Sequence, residues 1–187
     1  MAEDRTIKGK TKADFRGWLN RRRGIDKIYG FLDFDGVINL YNFDISDDEV
    51  VKEKARTNEF YDLDCVANLT SLCLRYDIHL VISSSWRYSG LPYCIEYLHK
   101  AGLDPRIDVC GMTETDWGTY RVQHVVNYLL GHPDYGNYVV FDDLDMPELG
   151  KHLIHCESRT GLNQKVTAEA DDYLSRYVSR KAEIEKI

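Results

Sequence analysis

With 187 residues, 43% of them hydrophobic, the chain is long enough for one domain with a substantial core. No apolar run approaches the ~20 residues of a membrane helix, and Met1-Ala2-Glu3-Asp4-Arg5 lacks the apolar stretch of a secretory signal, so a cytoplasmic protein is expected. A net charge of −7 gives no global attraction to nucleic acid, and five scattered cysteines without a C-x-x-C pair fit reduced thiols and argue against zinc.

Residues 1–27 form a basic N-terminal extension, with Lys8, Lys10, Lys12, Arg16, Arg21, Arg22, Arg23 and Lys27 in close succession. A helix is expected over 11–23, capped by Thr11 and turning Phe15, Trp18 and Leu19 inward. Its bases read either as a solvated helix face or as an arm for polynucleotide phosphates.

The domain proper is expected over 28–187. Residues 28–34 are an apolar run suited to a strand buried on both faces of a parallel sheet. It ends in Asp33-Phe34-Asp35-Gly36. Positions two apart on a strand share a face about 7 Å apart, so both acids can look into one site. Glycine lets the chain turn away without steric cost. Burying two acids is costly unless a cation or a reaction requires them.

Residues 40–60 are rich in Asp, Glu and Lys and read as a loop or small flap. A helix follows at 62–76. Strand two, at 78–82, runs into Ser83-Ser84-Ser85-Trp86-Arg87. Then come a helix at 91–101, a short strand at 106–110, and a helix at 118–130 that contains Arg121. Strand four, at 138–141, enters Asp142-Asp143-Leu144-Asp145. Strand five covers 153–156, and the last helix 167–184. Trp86 and Trp117 read as packing residues or as stacking partners for a base.

Strands alternating with helices imply right-handed crossovers, hence a three-layer α/β/α fold around a mostly parallel five-stranded sheet. Ligands of such sheets sit beyond the carboxyl ends of the strands. The clusters at Asp33/Asp35, Ser83/Ser84 and Asp142/Asp143 each follow an apolar strand, so all three land on that edge. Carboxylates gathered there repel one another, and a hard cation such as Mg2+ is their natural neutraliser. Acids, hydroxyls, a metal and one cationic side chain suit phosphoryl transfer.

Those residues carry a resemblance. Asp33-Phe34-Asp35-Gly36-Val37 resembles the first motif of the haloacid dehalogenase (HAD) superfamily of aspartyl phosphatases, and the strand ending in Ser83 resembles its second. Arg121 sits where the third motif places a Lys or Arg, and Phe141-Asp142-Asp143 resembles the acidic fourth. The texture of Ile82 to Arg87, of Thr113 to Arg121 and of Gly161-Leu162 is similar to HAD domains of RNA-repair proteins and of polynucleotide kinase/phosphatases.

The resemblance implies an aspartyl-phosphate mechanism. Asp33 would be the nucleophile and Asp35 the general acid and base, its backbone carbonyl also touching Mg2+. Ser83, and more weakly Ser84, would bind the phosphoryl group. Arg121 would bridge phosphate and nucleophile, with Lys100 and Arg87 as rivals, and Arg87 would touch substrate or brace the structure. Asp142 would complete the metal shell, joined by Asp143 or Asp145. Lacking room for a large cap, the chain resembles the capless, HAD-like Rossmannoid type, whose open site admits macromolecular phosphates. A phosphorylated polynucleotide or nucleotide is the expected substrate; a phosphoprotein or another small-molecule phosphate is the alternative. A receiver-type signalling domain places its acids after other strands. A catalytically silent binding module would have less reason to keep both Asp33 and Asp35.

Overall fold

The computed structural model describes residues 7–40, 60–116 and 118–184, the last with side chains to residue 177. The charged loop or flap, apart from its ends, and Trp117 lie outside the described residues. Five strands, β1 (Ile28–Leu32), β2 (Ile78–Ile82), β3 (Val109–Met112), β4 (Asn137–Asp142) and β5 (Leu153–His155), form one sheet. They lie in the order β3-β2-β1-β4-β5, and every pairing is parallel. The chain fills one side of β1 with β2 and β3, then crosses to the other for β4 and β5. The strand order therefore reverses around β1, where an open α/β sheet leaves its ligand crevice.

Helices α1 (Lys10–Arg21), α2 (Leu63–Tyr76), α3 (Leu91–Lys100), α4 (Arg121–Gly131) and α5 (Gln164–Ile184) divide between the two faces. Strand alternation sets the division. Ile28 and Leu32 of β1 pack with α2, α3 and α5, whereas Tyr29 and Phe31 pack with α1 and α4. On β4, Val139 and Phe141 face the first layer and Tyr138 and Val140 the second. Each such fully buried side chain contributes roughly 1.5–3 kcal/mol. Continuing the alternation past the last apolar residue turns Asp33 and Asp142 to the α1/α4 side.

Local chemistry moves several boundaries from the expected ones. Strand β3 starts at Val109 because Asp104 turns the chain first, its carboxylate accepting the Arg106 amide at 2.9 Å. Helix α5 starts at Gln164 because Asn163 caps it, accepting the amides of Lys165 (2.9 Å) and Val166 (3.1 Å). Helix α4 starts at Arg121 rather than 118, which places that side chain on the first turn, over the strand ends.

Helix α1 departs most from expectation. It buries Ala13, Gly17 and Asn20, while Phe15 and Trp18 point outward. The reason is close approach: a Cβ at Gly17 would stand 3.1 Å from both the Gly136 carbonyl oxygen and Tyr135 Cε2. Tyr135 Oη donates to the Ala13 carbonyl at 2.8 Å, and Asn20 Nδ2 donates to the Pro133 (2.7 Å) and Tyr135 (2.9 Å) carbonyls. Small residues and one amide thus make the inward face, and the larger apolar rings are left outside.

Candidate active site

Asp33 follows β1 and Asp142 ends β4, neighbours in the sheet, with the Asp33 amide donating to the Phe141 carbonyl at 3.0 Å. Both carboxylates face α4, and both are buried. Arg121 meets them from that helix: its Nη1 donates to Asp33 Oδ2 and, at 2.6 Å, to Asp142 Oδ2. The other oxygens are taken by backbone amides, Asp33 Oδ1 by Phe34 and Asp142 Oδ1 by Leu144, at 2.8 and 2.9 Å.

The charges do not balance. Burial raises the Asp33 carboxyl above the ordinary carboxylate range, against the pull of Arg121 and of the Ser84 hydroxyl. Burial likewise pushes Asp142 up to about 6 despite Arg121. Burial alone would loosen Arg121's proton, but the two acids hold it above its ordinary value. One guanidinium thus serves two buried acids.

Asp143 supplies a third. Oxygens of Asp33, Asp142 and Asp143 all lie within 4.8 Å of one another. Ser158 Oγ donates to Asp143 Oδ2 at 2.6 Å and orients it. Gly36 makes the approach of Asp143 possible: at φ 78° it turns the chain, and a Cβ there would collide with the Asp143 carboxylate. An all-oxygen, electron-rich cluster short of positive charge fits a hard divalent cation. Asp145 is exposed and stands outside the cluster.

The Asp35 carboxylate also stands outside it. Trp86 Nε1 donates to both of its oxygens, at 3.1 and 3.0 Å, and Asn39 Nδ2 donates to one at 2.9 Å. The indole is itself fixed by packing on Tyr97, 4.6 Å between ring centroids, and on Phe34. Sequence reasoning had offered Trp86 only as packing or base stacking. The available signal was the indole N–H, a donor that seeks an acceptor when half-buried.

The two serines differ in their surroundings. Ser84 Oγ accepts the Trp86 amide at 3.3 Å and favours the charged form of Asp33, whereas the buried Ser83 hydroxyl has no hydrogen-bond partner among the described residues. Of the candidate cations, Arg121 is the one that bonds Asp33; Lys100 ends α3, at the opposite end of the sheet.

Of the two roles expected for Arg87, its hydrogen bonds fit the structural one. Arg87 is 7% exposed. Its Nε donates to the Glu114 carbonyl at 2.8 Å and its Nη1 to the Ser83 and Ser84 carbonyls at 3.0 and 2.8 Å. Nη2 lies 3.1 Å from His124 Nδ1, which accepts from the guanidinium. Arg87 braces the loop that presents Ser84.

A family model described as the HAD domain in Swiss Army Knife RNA repair proteins matches residues 30–166, well over half of the chain. The chain belongs to this HAD family. The match takes in all five strands except the first two residues of β1, together with α2, α3 and α4 and every residue of the acid cluster, and leaves α1 outside. Membership of this HAD family points to a phosphatase-type activity. No significant match was found among curated proteins or among solved structures. Among the described residues, no helix is long and apolar enough to cross a membrane, and no cap domain is inserted in the sheet.

Proposed function

We propose that the chain is a Mg2+-dependent phosphomonoesterase that removes terminal phosphates from RNA through a phosphorylated Asp33. The observation that carries this reading is the convergence of Asp33, Asp142 and Asp143 on one point, with Arg121 the only cation in bonding reach of Asp33 among the described residues. Asp33, Asp142 and Asp143, with the Asp35 carbonyl, would hold the metal. When bound it supplies a fixed positive charge to the phosphoryl oxygens.

Asp33 Oδ attacks phosphorus and the ester bond breaks. Asp35 delivers a proton to the departing alkoxide, then takes one from the water that hydrolyses the acyl phosphate, so that inorganic phosphate leaves and both carboxyls are restored. Standing outside the metal-binding cluster suits Asp35 to carrying that proton, and Trp86 with Asn39 would aim it. Arg121 and the Ser84 hydroxyl would take the charge that develops on the phosphoryl oxygens. The absence of a cap domain among the described residues and the RNA-repair description of the family favour a polynucleotide end over a sugar phosphate.

Phosphate release from 5′- and 3′-phosphorylated RNA oligonucleotides and from mononucleotides tests the reading, with Mg2+ and with chelator. Metal-dependent release from the oligonucleotides, abolished in Asp33→Asn, is expected. Release that survives Asp33→Asn would contradict it.

A further inference from the structure

The outward face of α1 takes no part in the chemistry above, and it is unusual for a helix surface. Phe15 is 60% and Trp18 41% exposed. The rings stack on each other, 5.5 Å between centroids and 25° between planes, and the Arg22 guanidinium lies 5.0 Å over the Trp18 ring. Positions 15, 18 and 22 follow one another a turn apart, so Phe15, Trp18 and Arg22 make a ladder along the helix. Exposed Lys12 stands one turn before it and exposed Arg23 beyond it. The acid of this helix, Asp14, is tied to Lys10 Nζ at 2.6 Å and to Tyr138 Oη at 2.9 Å.

A chain of net charge −7 thus concentrates bases and stacked rings on one helix face. Aromatic faces flanked by Arg and Lys are the surface a single strand requires: bases stack on the rings while phosphates meet the cations. An ordinary protein interface would instead be poor in Lys at its core. The position also fits. Helix α1 runs beside α4, its preceding Lys8 amide 2.9 Å from Gln123 Oε1 and Arg16 Nη1 3.1 Å from the Leu130 carbonyl. Helix α4 rises about 14 Å between Arg121 and Leu130, and the ladder begins beside the far end of α4, near the start of β4, so a strand joining site and ladder must run at least the length of that helix.

We propose that the outer face of α1, built on the Phe15–Trp18–Arg22 ladder with Lys12 and Arg23, docks single-stranded RNA. That the strand is RNA rests on the substrate class proposed above; the stacking surface itself is independent of the catalytic residues.

The test is fluorescence anisotropy with an internally labelled single-stranded RNA of about 12 nucleotides, dephosphorylated at both ends. It compares wild type, Phe15→Ala/Trp18→Ala, Lys12→Glu/Arg22→Glu and Asp33→Asn. Binding that weakens with salt is expected, about tenfold or more weaker in the two α1 variants and unchanged in Asp33→Asn. Hydrolysis of p-nitrophenyl phosphate should be equal in wild type and both α1 variants. Equal RNA affinity in wild type and the α1 variants, or no binding by the wild type, would overturn the proposal. So would tighter binding to the matching DNA, or a wild-type dimer lost in Phe15→Ala/Trp18→Ala, which would make the face a contact between copies. Because the probe has no terminal phosphate, failure to bind it is distinguishable from failure of the phosphatase reading.

Discussion

Replacing Arg121 by Met removes the guanidinium shared by Asp33 and Asp142 while keeping most of its volume. The Asp142 side chain is fully buried and that of Asp33 6% exposed, so neither acid can recover its hydration. Breaking a buried pair by removing one partner costs about 3–5 kcal/mol. The acids can lessen that cost by taking up a proton, for Asp142 already titrates at about 6 with Arg121 in place. The folded pKa is raised above the unfolded value, so this contribution to stability is present at low pH and lost as pH rises. With one extra proton held by the folded variant, its stability falls by up to about 1.4 kcal/mol per pH unit from about pH 4 to above pH 6. Urea unfolding in chelator, at several pH values in that range, reads both quantities. The variant should lose about 3 kcal/mol near pH 7.5 and much less near pH 5. A loss under about 1 kcal/mol at the higher pH, with the wild-type pH slope, would refute the claim that the triad is buried and short of positive charge.

Trp86→Phe keeps the packing on Tyr97 but removes the donor to Asp35; it should slow hydrolysis of alkyl phosphates about 10- to 100-fold and leave aryl phosphates, whose leaving groups need no proton, nearly unchanged. Equal losses on both in steady-state kinetics would mean a structural role only. Mg2+ should raise the melting temperature of the wild type but not of Asp142→Asn, and the substitution should stabilise the chelated chain by about 1–3 kcal/mol, since one guanidinium then faces one acid. Arg87→Ala should destabilise by about 2–4 kcal/mol, because the Ser83, Ser84 and Glu114 carbonyls lose their buried donor; a loss below about 0.5 kcal/mol in urea unfolding would contradict the brace.

The sheet and the convergence of its polar strand ends were legible because strands buried on both faces announce themselves as apolar runs, and carboxylates directly after such runs have one edge to occupy. Arg121 was reached only through the family resemblance, which expects a Lys or Arg at that spacing; the structure puts it on the first turn of α4, over the strand ends. Side-chain direction past a strand end was not legible. Which way the Ser83 and Ser84 hydroxyls turn depends on one residue of backbone turn, which periodicity does not encode. Contacts between remote segments were hidden as well: Trp86 and Asp35 are 51 residues apart in the chain, and Arg87 finds an acceptor, the Glu114 carbonyl, in the loop after β3. The inversion of α1 has another cause. Counting apolar side chains favours Phe15 and Trp18 as the buried face, but close contact with Tyr135 and Gly136 selects Ala13, Gly17 and Asn20.

The most direct test of the central claim is to trap the phosphorylated nucleophile. The protein is mixed with end-phosphorylated RNA and Mg2+, quenched and reduced with borohydride, which converts an aspartyl phosphate to homoserine, and the peptide carrying residue 33 is sequenced by mass spectrometry. Homoserine at Asp33, dependent on substrate and metal, is the predicted result. Phosphate release with Asp33 unmodified, or trapping at another carboxylate, would contradict the account.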